Sequence, residues 1–158
     1  MTFVFIAILH LSRPQIIAII RSEARDLDIP FGIALRLADA ESDLDPSAIG
    51  YNRGRYRSRD LGLYQLNSRY ASWYVWRWAS IGANLADPRI NSHVGLSYLR
   101  ALYDVTGNWY DALCAYNSGL STVMGGQVKM KTERYALYIV GADDLAPGVR
   151  ALESGKEE

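Results

Sequence analysis

Apolar side chains recur at intervals of three and four through most of this chain, and strictly alternating β-branched runs are scarce, so the pattern predicts a mostly α fold. Ser12 with Pro14 opens a helix that carries Ile16, Ile17, Ile19 and Ile20 and ends near Asp28. Pro30 opens the next, through Phe31, Ile33, Ala34, Leu37 and Ala38 to Glu41. The regularity then stops. Residues 42–66 hold Pro46, Gly50, Gly54 and Gly62 with few large apolar side chains, which predicts a small irregular lobe or a short β-hairpin. Helical spacing returns near Ser68, in a stretch rich in rings: Tyr70, Trp73, Tyr74, Trp76 and Trp78. Asp87-Pro88 starts a helix through Val94, Leu96, Tyr98, Leu99 and Leu102. Another begins near Asn108, carries Trp109, Leu113 and Tyr116, and stops at Gly119, which suits a left-handed cap. The last pattern, near Lys131 to Val140, holds Tyr135, Leu137 and Ile139.

No internal repeat, low-complexity tract or linker divides the chain, and 158 residues suffice for one core. The expected organisation is an apolar arm over 1–11, one domain over 12–145, and a short charged tail over 146–158. Met1 to Leu11 has no charged side chain, and Phe3 to Leu9 is continuously apolar. That stretch is shorter than the roughly 20 residues a bilayer span needs. No Lys or Arg precedes it and no small-residue cleavage site precedes Arg13. An arm packing on the domain is therefore expected, with an atypical export signal as the alternative; no membrane span is expected elsewhere.

Charge changes the picture little: 17 basic and 17 acidic residues give no global field toward nucleic acid or anionic lipid, so neither is expected as a partner. Cys114 is the single cysteine and sits among Ala112, Leu113 and Ala115, as a small core residue would. With only His10 and His93 available, no Ser/His/Asp arrangement, zinc cluster or phosphate-binding glycine loop is present, and no cofactor or metal is expected.

Glu41 is the departure from pattern. At about 100° per residue it shares a helix face with Ala34, Leu37 and Ala38, while Arg36 and Asp39 lie roughly opposite. A carboxyl group against apolar surface favours its protonated form, because ionisation strands a charge in a poor solvent; such groups reach pKa values of about 6 to 7 and serve as general acids. Downstream lie the polar, glycine-bearing run D-L-G-L-Y-Q-L-N-S from Asp60 to Ser68, and A-Y-N-S-G from Ala115 to Gly119.

Glu41-Ser42, then G-L-Y-Q-L-N-S, then Asn91, Gly95, Tyr98 and Leu99 in N-x-x-x-G-x-x-Y-L, then A-Y-N-S-G, resembles in order the lytic transglycosylases of the soluble, SLT-domain type. The resemblance covers roughly residues 16–140. The long interval from Glu41 to Gln65 looks most like the small members associated with secretion systems, conjugation systems and phages. It implies a single-domain lysozyme-like fold acting at the cell envelope or periplasm, or delivered to the wall by a phage. The partners it implies are peptidoglycan glycan strands and an envelope-spanning secretion or conjugation machine or a phage particle. The implied chemistry is protonation by Glu41 of the glycosidic oxygen between N-acetylmuramic acid and N-acetylglucosamine. Glu41 then takes the proton of the muramyl 6-hydroxyl as it closes a 1,6-anhydro ring. The alternatives are a muramidase that adds water and a glycan-binding component without turnover.

Asp60 falls, by its D-L-G-L-Y-Q context, where the similar stretch of C-type lysozymes carries a second carboxylate. Facing a cleft it would stabilise an oxocarbenium-like transition state or permit hydrolysis; turned away it is a loop residue. Gln65 and Asn67, two apart, would project to one side of extended chain and bind amino-sugar groups, or else tie down the lobe. The resemblance also transfers Ser42, Tyr116 and Asn117 to the site, with Tyr116 expected to orient the Glu41 carboxyl or the substrate. Tyr64 stands where the family most often has methionine and offers a ring on which a sugar could stack. Tyr135 is a weaker candidate for the same wall, with plain core packing favoured. The aromatic stretch from Trp73 to Trp78 is likewise expected mostly in the core. The alternating Arg53, Arg55, Arg57 and Arg59 form the one concentrated charge, either a solvated loop or a contact for stem-peptide carboxylates.

Overall fold

Proline, aspartate and asparagine punctuation places the helices where the apolar spacing does. The computed structural model describes residues 11–54 and 57–141. Among these, α1 (Arg13–Asp26), α2 (Phe31–Ser42), α3 (Ala71–Trp78), α4 (Pro88–Thr106), α5 (Trp109–Ser118), α6 (Leu120–Met124) and α7 (Met130–Val140) surround a small sheet. The expectations for residues 1–10, for Arg55 and for the charged tail lie outside the described residues.

The caps have identifiable donors and acceptors. Gln15 reaches back from α1 to accept the Ser12 N–H at 2.8 Å, the Asp87 carboxylate accepts the Arg89 N–H at 2.9 Å, and Asn108 accepts the Asp111 N–H at 2.8 Å. Gly119 differs from the expected left-handed cap. Its φ of 91° is paired with a ψ of 142°, so the chain leaves α5 extended and enters α6, a helix of 5 residues too short for periodicity to reveal.

The glycine-rich lobe is a three-stranded antiparallel sheet of order β1 (Ile49–Asn52), β2 (Ser58–Leu61), β3 (Leu66–Asn67). Asn52 pairs with Ser58 and Asp60 with Asn67, so these four side chains share one face. A 3₁₀ turn over Ser68–Tyr70 leads into α3.

The main core lies between α1, α2, α4, α5 and α7, and Ile33, Ala34, Leu37 and Ala38 of α2 and the run Ala112–Ala115 of α5 are all buried in it. Cys114 is part of that run, and burial pushes its thiol up to about 11. A smaller cluster of Leu66, Tyr74, Leu85 and Val94 seats the sheet and α3 on α4. The lobe is fixed to α4 by Asn91, whose amide is buried and fully used. Its Oδ1 accepts the Tyr64 N–H at 2.9 Å, and its Nδ2 donates to Leu61 O at 2.7 Å and Leu85 O at 2.8 Å. Gly95 lies one turn on, where a Cβ would stand 2.5 Å from the Tyr64 Cβ. The N-x-x-x-G pair thus anchors the loop and makes room for its aromatic side chain.

Candidate active site

Glu41 occupies the last turn of α2, partly buried, on the face that carries Leu37 and Ala38 inward. Beyond it the backbone turns through two left-handed residues, Asp43 (φ 56°) and Leu44 (φ 59°), and Leu44 is buried to hold that reversal. The Tyr135 hydroxyl, from α7, donates a short hydrogen bond to Glu41 Oε1. Burial holds the Glu41 pKa above the ordinary carboxylic range; the Tyr135 bond works in the opposite direction, and the negative charge of Asp60 adds to the elevation. Tyr135 itself is raised by burial and by the adjacent carboxylate.

Glu41 lines a cleft of about 790 Å³ that runs between the sheet, α3, α4 and the end of α5. Asp60 lines the same cleft from β2, and each of its oxygens accepts an amide proton, from Asn52 Nδ2 at 2.8 Å and Asn67 Nδ2 at 2.7 Å. Two donors on one carboxylate fix its orientation. Gln65 and Asn67 both reach the cleft while also tying down the lobe. Gln65 is not extended, with φ 45°, and its Nε2 donates to Gly62 O at 2.9 Å. Asn67 also accepts the Arg69 N–H at 2.9 Å.

The remaining positions are redistributed. Ser42 does not face the cleft: its hydroxyl bridges Ala38 O and Leu63 O, each at 3.0 Å, and clips α2 to the lobe. Tyr64 offers no ring to a sugar, because it is fully buried and its hydroxyl donates to Ala34 O at 3.0 Å. Space beside Gly95 draws the ring inward. Tyr135 rather than Tyr116 bonds the Glu41 carboxyl, while Tyr116 stays at the cleft. Tyr116 lines the cleft but donates to Tyr64 O at 2.8 Å, whereas Tyr135, expected in the core, is the residue bonded to Glu41. Asn117 lines the cleft and accepts from the Thr132 hydroxyl at 2.9 Å, which joins α5 to α7.

The aromatic stretch divides between core and cleft. Tyr70, Trp73 and Tyr74 all line the cleft, Tyr74 buried in its wall and edge-on to Tyr98 at 5.9 Å, Trp73 and Tyr70 with 45% and 51% of their surface exposed. Trp76 points outward. Tyr98 completes the wall and leans on Tyr116 at 5.3 Å. These rings and Asn52 are the cleft residues that spacing alone did not separate from the core. Tyr70 and Trp73, three apart on one helical face, are the available signal. Amide groups, a protonatable carboxyl, a second carboxylate and exposed rings make a surface suited to a polar, ring-shaped ligand such as a sugar. Among the described residues no group of three or more His, Cys, Asp or Glu side chains could hold a metal ion.

Comparison with known proteins places this geometry. The chain is 38% identical over 89 residues to the invasion protein IagB of Salmonella typhimurium, and equally to that of Salmonella typhi, a match covering 54% of this chain and 52% of IagB. The chain therefore spans about half the length of the curated relatives it matches. Its fold is similar to that of the 70 kDa soluble lytic transglycosylase of Escherichia coli, with TM-score 0.63 and 22% identity over 78% of this chain and 22% of that one. It is also similar to an inactive mutant of the lytic transglycosylase Slt of Pseudomonas aeruginosa, with TM-score 0.61 and 19% identity over the same shares, 78% and 22%. These likenesses establish the lysozyme-like fold. Residues 18–139, which hold the helix of Glu41, the sheet of Asp60 and the helix of Tyr135, match the model of the transglycosylase SLT domain, and the chain belongs to that family.

Proposed function

We propose that this chain is a peptidoglycan lytic transglycosylase that cleaves the β-1,4 bond between N-acetylmuramic acid and N-acetylglucosamine. The observation that carries this is the partly buried Glu41 carboxyl, held by Tyr135 in the lining of a cleft walled by amides and rings. Its raised pKa supplies the acid form. Glu41 gives its proton to the glycosidic oxygen as the C1–O bond breaks, and the amino-sugar leaving group departs as an alcohol. The muramyl 6-hydroxyl oxygen then bonds to C1, and its proton returns to the Glu41 carboxylate, which regenerates the acid. No water is consumed, since the nucleophile belongs to the substrate and is already close. Asp60, its carboxylate steered by Asn52 and Asn67, offers negative charge to the oxocarbenium-like transition state. The family and the likeness to a protein named for invasion support action at the cell wall; a secretion or conjugation machine or a phage particle is the partner that the motif resemblance implies.

Asp60 also favours a second reading, hydrolysis, in which water takes the place of the 6-hydroxyl. Mass spectrometry of products from purified peptidoglycan separates the two. Anhydro-ended muropeptides, lighter by one water than reducing-end products, are expected. Reducing ends alone would replace transglycosylation by hydrolysis. Wall lysis by Glu41→Gln at the wild-type rate would remove Glu41 from the mechanism.

A further inference from the structure

The sheet has a second face that the cleft does not use. Asn52, Ser58, Asp60 and Asn67 look into or border the cleft, whereas the alternate positions, Tyr51 and Arg59, form a cross-strand pair on the other side. There the Arg59 guanidinium lies 5.8 Å from the centroid of the Tyr51 ring. With Arg53 and Arg57 they enclose a groove of about 660 Å³. Arg53, Arg57 and Arg59 are all exposed, and none makes an ion pair among the described residues. Among the described residues no acidic side chain lines the groove, although the chain as a whole is neutral.

The groove is continuous with the cleft. A smaller hollow of about 200 Å³ shares Asn52, Asn67 and Tyr70 with the cleft, and shares Asn52, Arg57 and Ser58 with the arginine groove. A ligand leaving the cleft past Asn52 therefore meets guanidinium groups in succession. Each presents a planar fork matched to a carboxylate.

We propose that this groove is a subsite for the free carboxylates of the peptide stem carried by the substrate's muramyl residue, an inference that rests on the peptidoglycan reading of the cleft. A stem of three to four residues reaches about 10–14 Å when extended, comparable to the length of the four-residue strand β1. The stem is covalently joined to the sugar in the cleft, so it is the anionic group held nearest the groove. Tyr51 provides an apolar platform for its side chains, and the arginines pair with its acids.

The test compares full-length protein with the variant Arg53→Gln/Arg57→Gln/Arg59→Gln. The substrates are glycan strands that carry stem peptides and strands of equal length stripped of peptide by an amidase. Wild type is expected to turn over peptide-bearing strands with a kcat/KM about tenfold higher, mostly through KM, and to lose that preference at high salt. The triple variant is expected to keep its melting temperature and its rate on stripped strands while its preference falls to near one. A wild type without preference, or a variant that keeps it, overturns the subsite while leaving the cleft assignment intact. Polyglycerol phosphate that competes with peptide-bearing strands, where a free stem tetrapeptide does not, overturns it in favour of a phosphate polymer. No turnover of either strand overturns the peptidoglycan reading and the subsite together.

Discussion

Gly95→Ala tests how the cleft wall is held. By helix propensity alone alanine in the middle of α4 should stabilise the protein by about 1 kcal/mol. The structure predicts the opposite sign. The added Cβ would stand 2.5 Å from Tyr64 Cβ and 2.7 Å from its Cγ, against the roughly 3.5 Å of a relaxed carbon contact, so about 1 Å must be found. Tyr64 has little freedom to give it. The residue is fully buried and held at three points: its hydroxyl on Ala34 O at 3.0 Å, its N–H on Asn91 at 2.9 Å and its carbonyl under the Tyr116 hydroxyl at 2.8 Å. Overpacking of this kind costs about 1–3 kcal/mol, and a hydrogen bond lost in the adjustment costs about 1 kcal/mol more. After the propensity gain, the net expectation is a destabilisation of about 1–3 kcal/mol in urea melts followed by tryptophan fluorescence. Turnover measured well below the unfolding transition should also fall, because movement of Tyr64 releases Tyr116 in the cleft. A variant as stable as wild type, or more so, would refute the constraint placed on Tyr64.

Three further outcomes follow from the same geometry. The Glu41 pKa in the folded chain lies above its unfolded value near 4.5, so its contribution to stability is complete below that value and is lost as pH rises through the folded pKa. Glu41→Gln should therefore gain on wild type as pH rises from 4 to 8 in thermal melts, by about 1.4 kcal/mol for each pH unit of elevation; a variant that loses ground to wild type over that range would be the wrong sign. Tyr135→Phe removes the bond that opposes the elevation, so the alkaline limb of the turnover profile should move to higher pH while the maximal rate drops roughly 10- to 100-fold. An unmoved limb would count against the Tyr135 contact. Asn91→Ala strands the Tyr64 N–H and removes the donor to Leu61 O and Leu85 O, and should cost about 3 kcal/mol or more in urea unfolding; a cost below about 1 kcal/mol would show that the amide is not the anchor.

The helices were legible because their ends carry local chemistry. Ser12, Pro30, Asp87 and Asn108 each mark a start within one or two residues of where it falls, and the inward face of Glu41 follows from counting along one helix. Apart from the backbone at Gly119 and Gln65 and the short α6, the errors concern which way a side chain turns once separate elements meet. Tyr64 turns inward because Gly95, 31 residues later, leaves room there. Tyr135 rather than Tyr116 meets the Glu41 carboxyl because the rotations of α5 and α7 are set by packing, with Asn117 and Thr132 joined between them. The helix α3 carries aromatics on several faces of only 8 residues, so no stripe told Trp73 from Tyr74. The end of α2 and the start of β3 gave no glycine signal, since Asp43, a type that tolerates left-handed backbone, and Leu44 and Gln65, types that disfavour it, occupy these turns.

Those three residues bear on how the site is built. Asp43 and Leu44 come just after Glu41-Ser42, and Gln65 lines the cleft that Glu41 enters, so three of the five non-glycine residues with positive φ among the described residues lie beside the proposed acid, the others being Asp28 and Arg57. Each must be offset by something that the rest of the fold supplies. Leu44 is held by burial in the main core, and Gln65 by its amide on Gly62 O and Ala48 O. Gln65 Oε1 lies where Gly50 leaves space, since a Cβ there would stand 2.9 Å from it. The lobe therefore cannot drift independently of α2: Ser42 clips Leu63, Asn91 anchors Leu61 and Tyr64, and Tyr116 holds the Tyr64 carbonyl. Glu41 and Asp60 sit on different elements, yet they line one cleft closely enough for the charge of Asp60 to raise the Glu41 pKa. On the proposed mechanism, an acid on one side of the scissile bond and a negative charge near the other must keep their spacing, and the contacts that tie the lobe to α2 supply it.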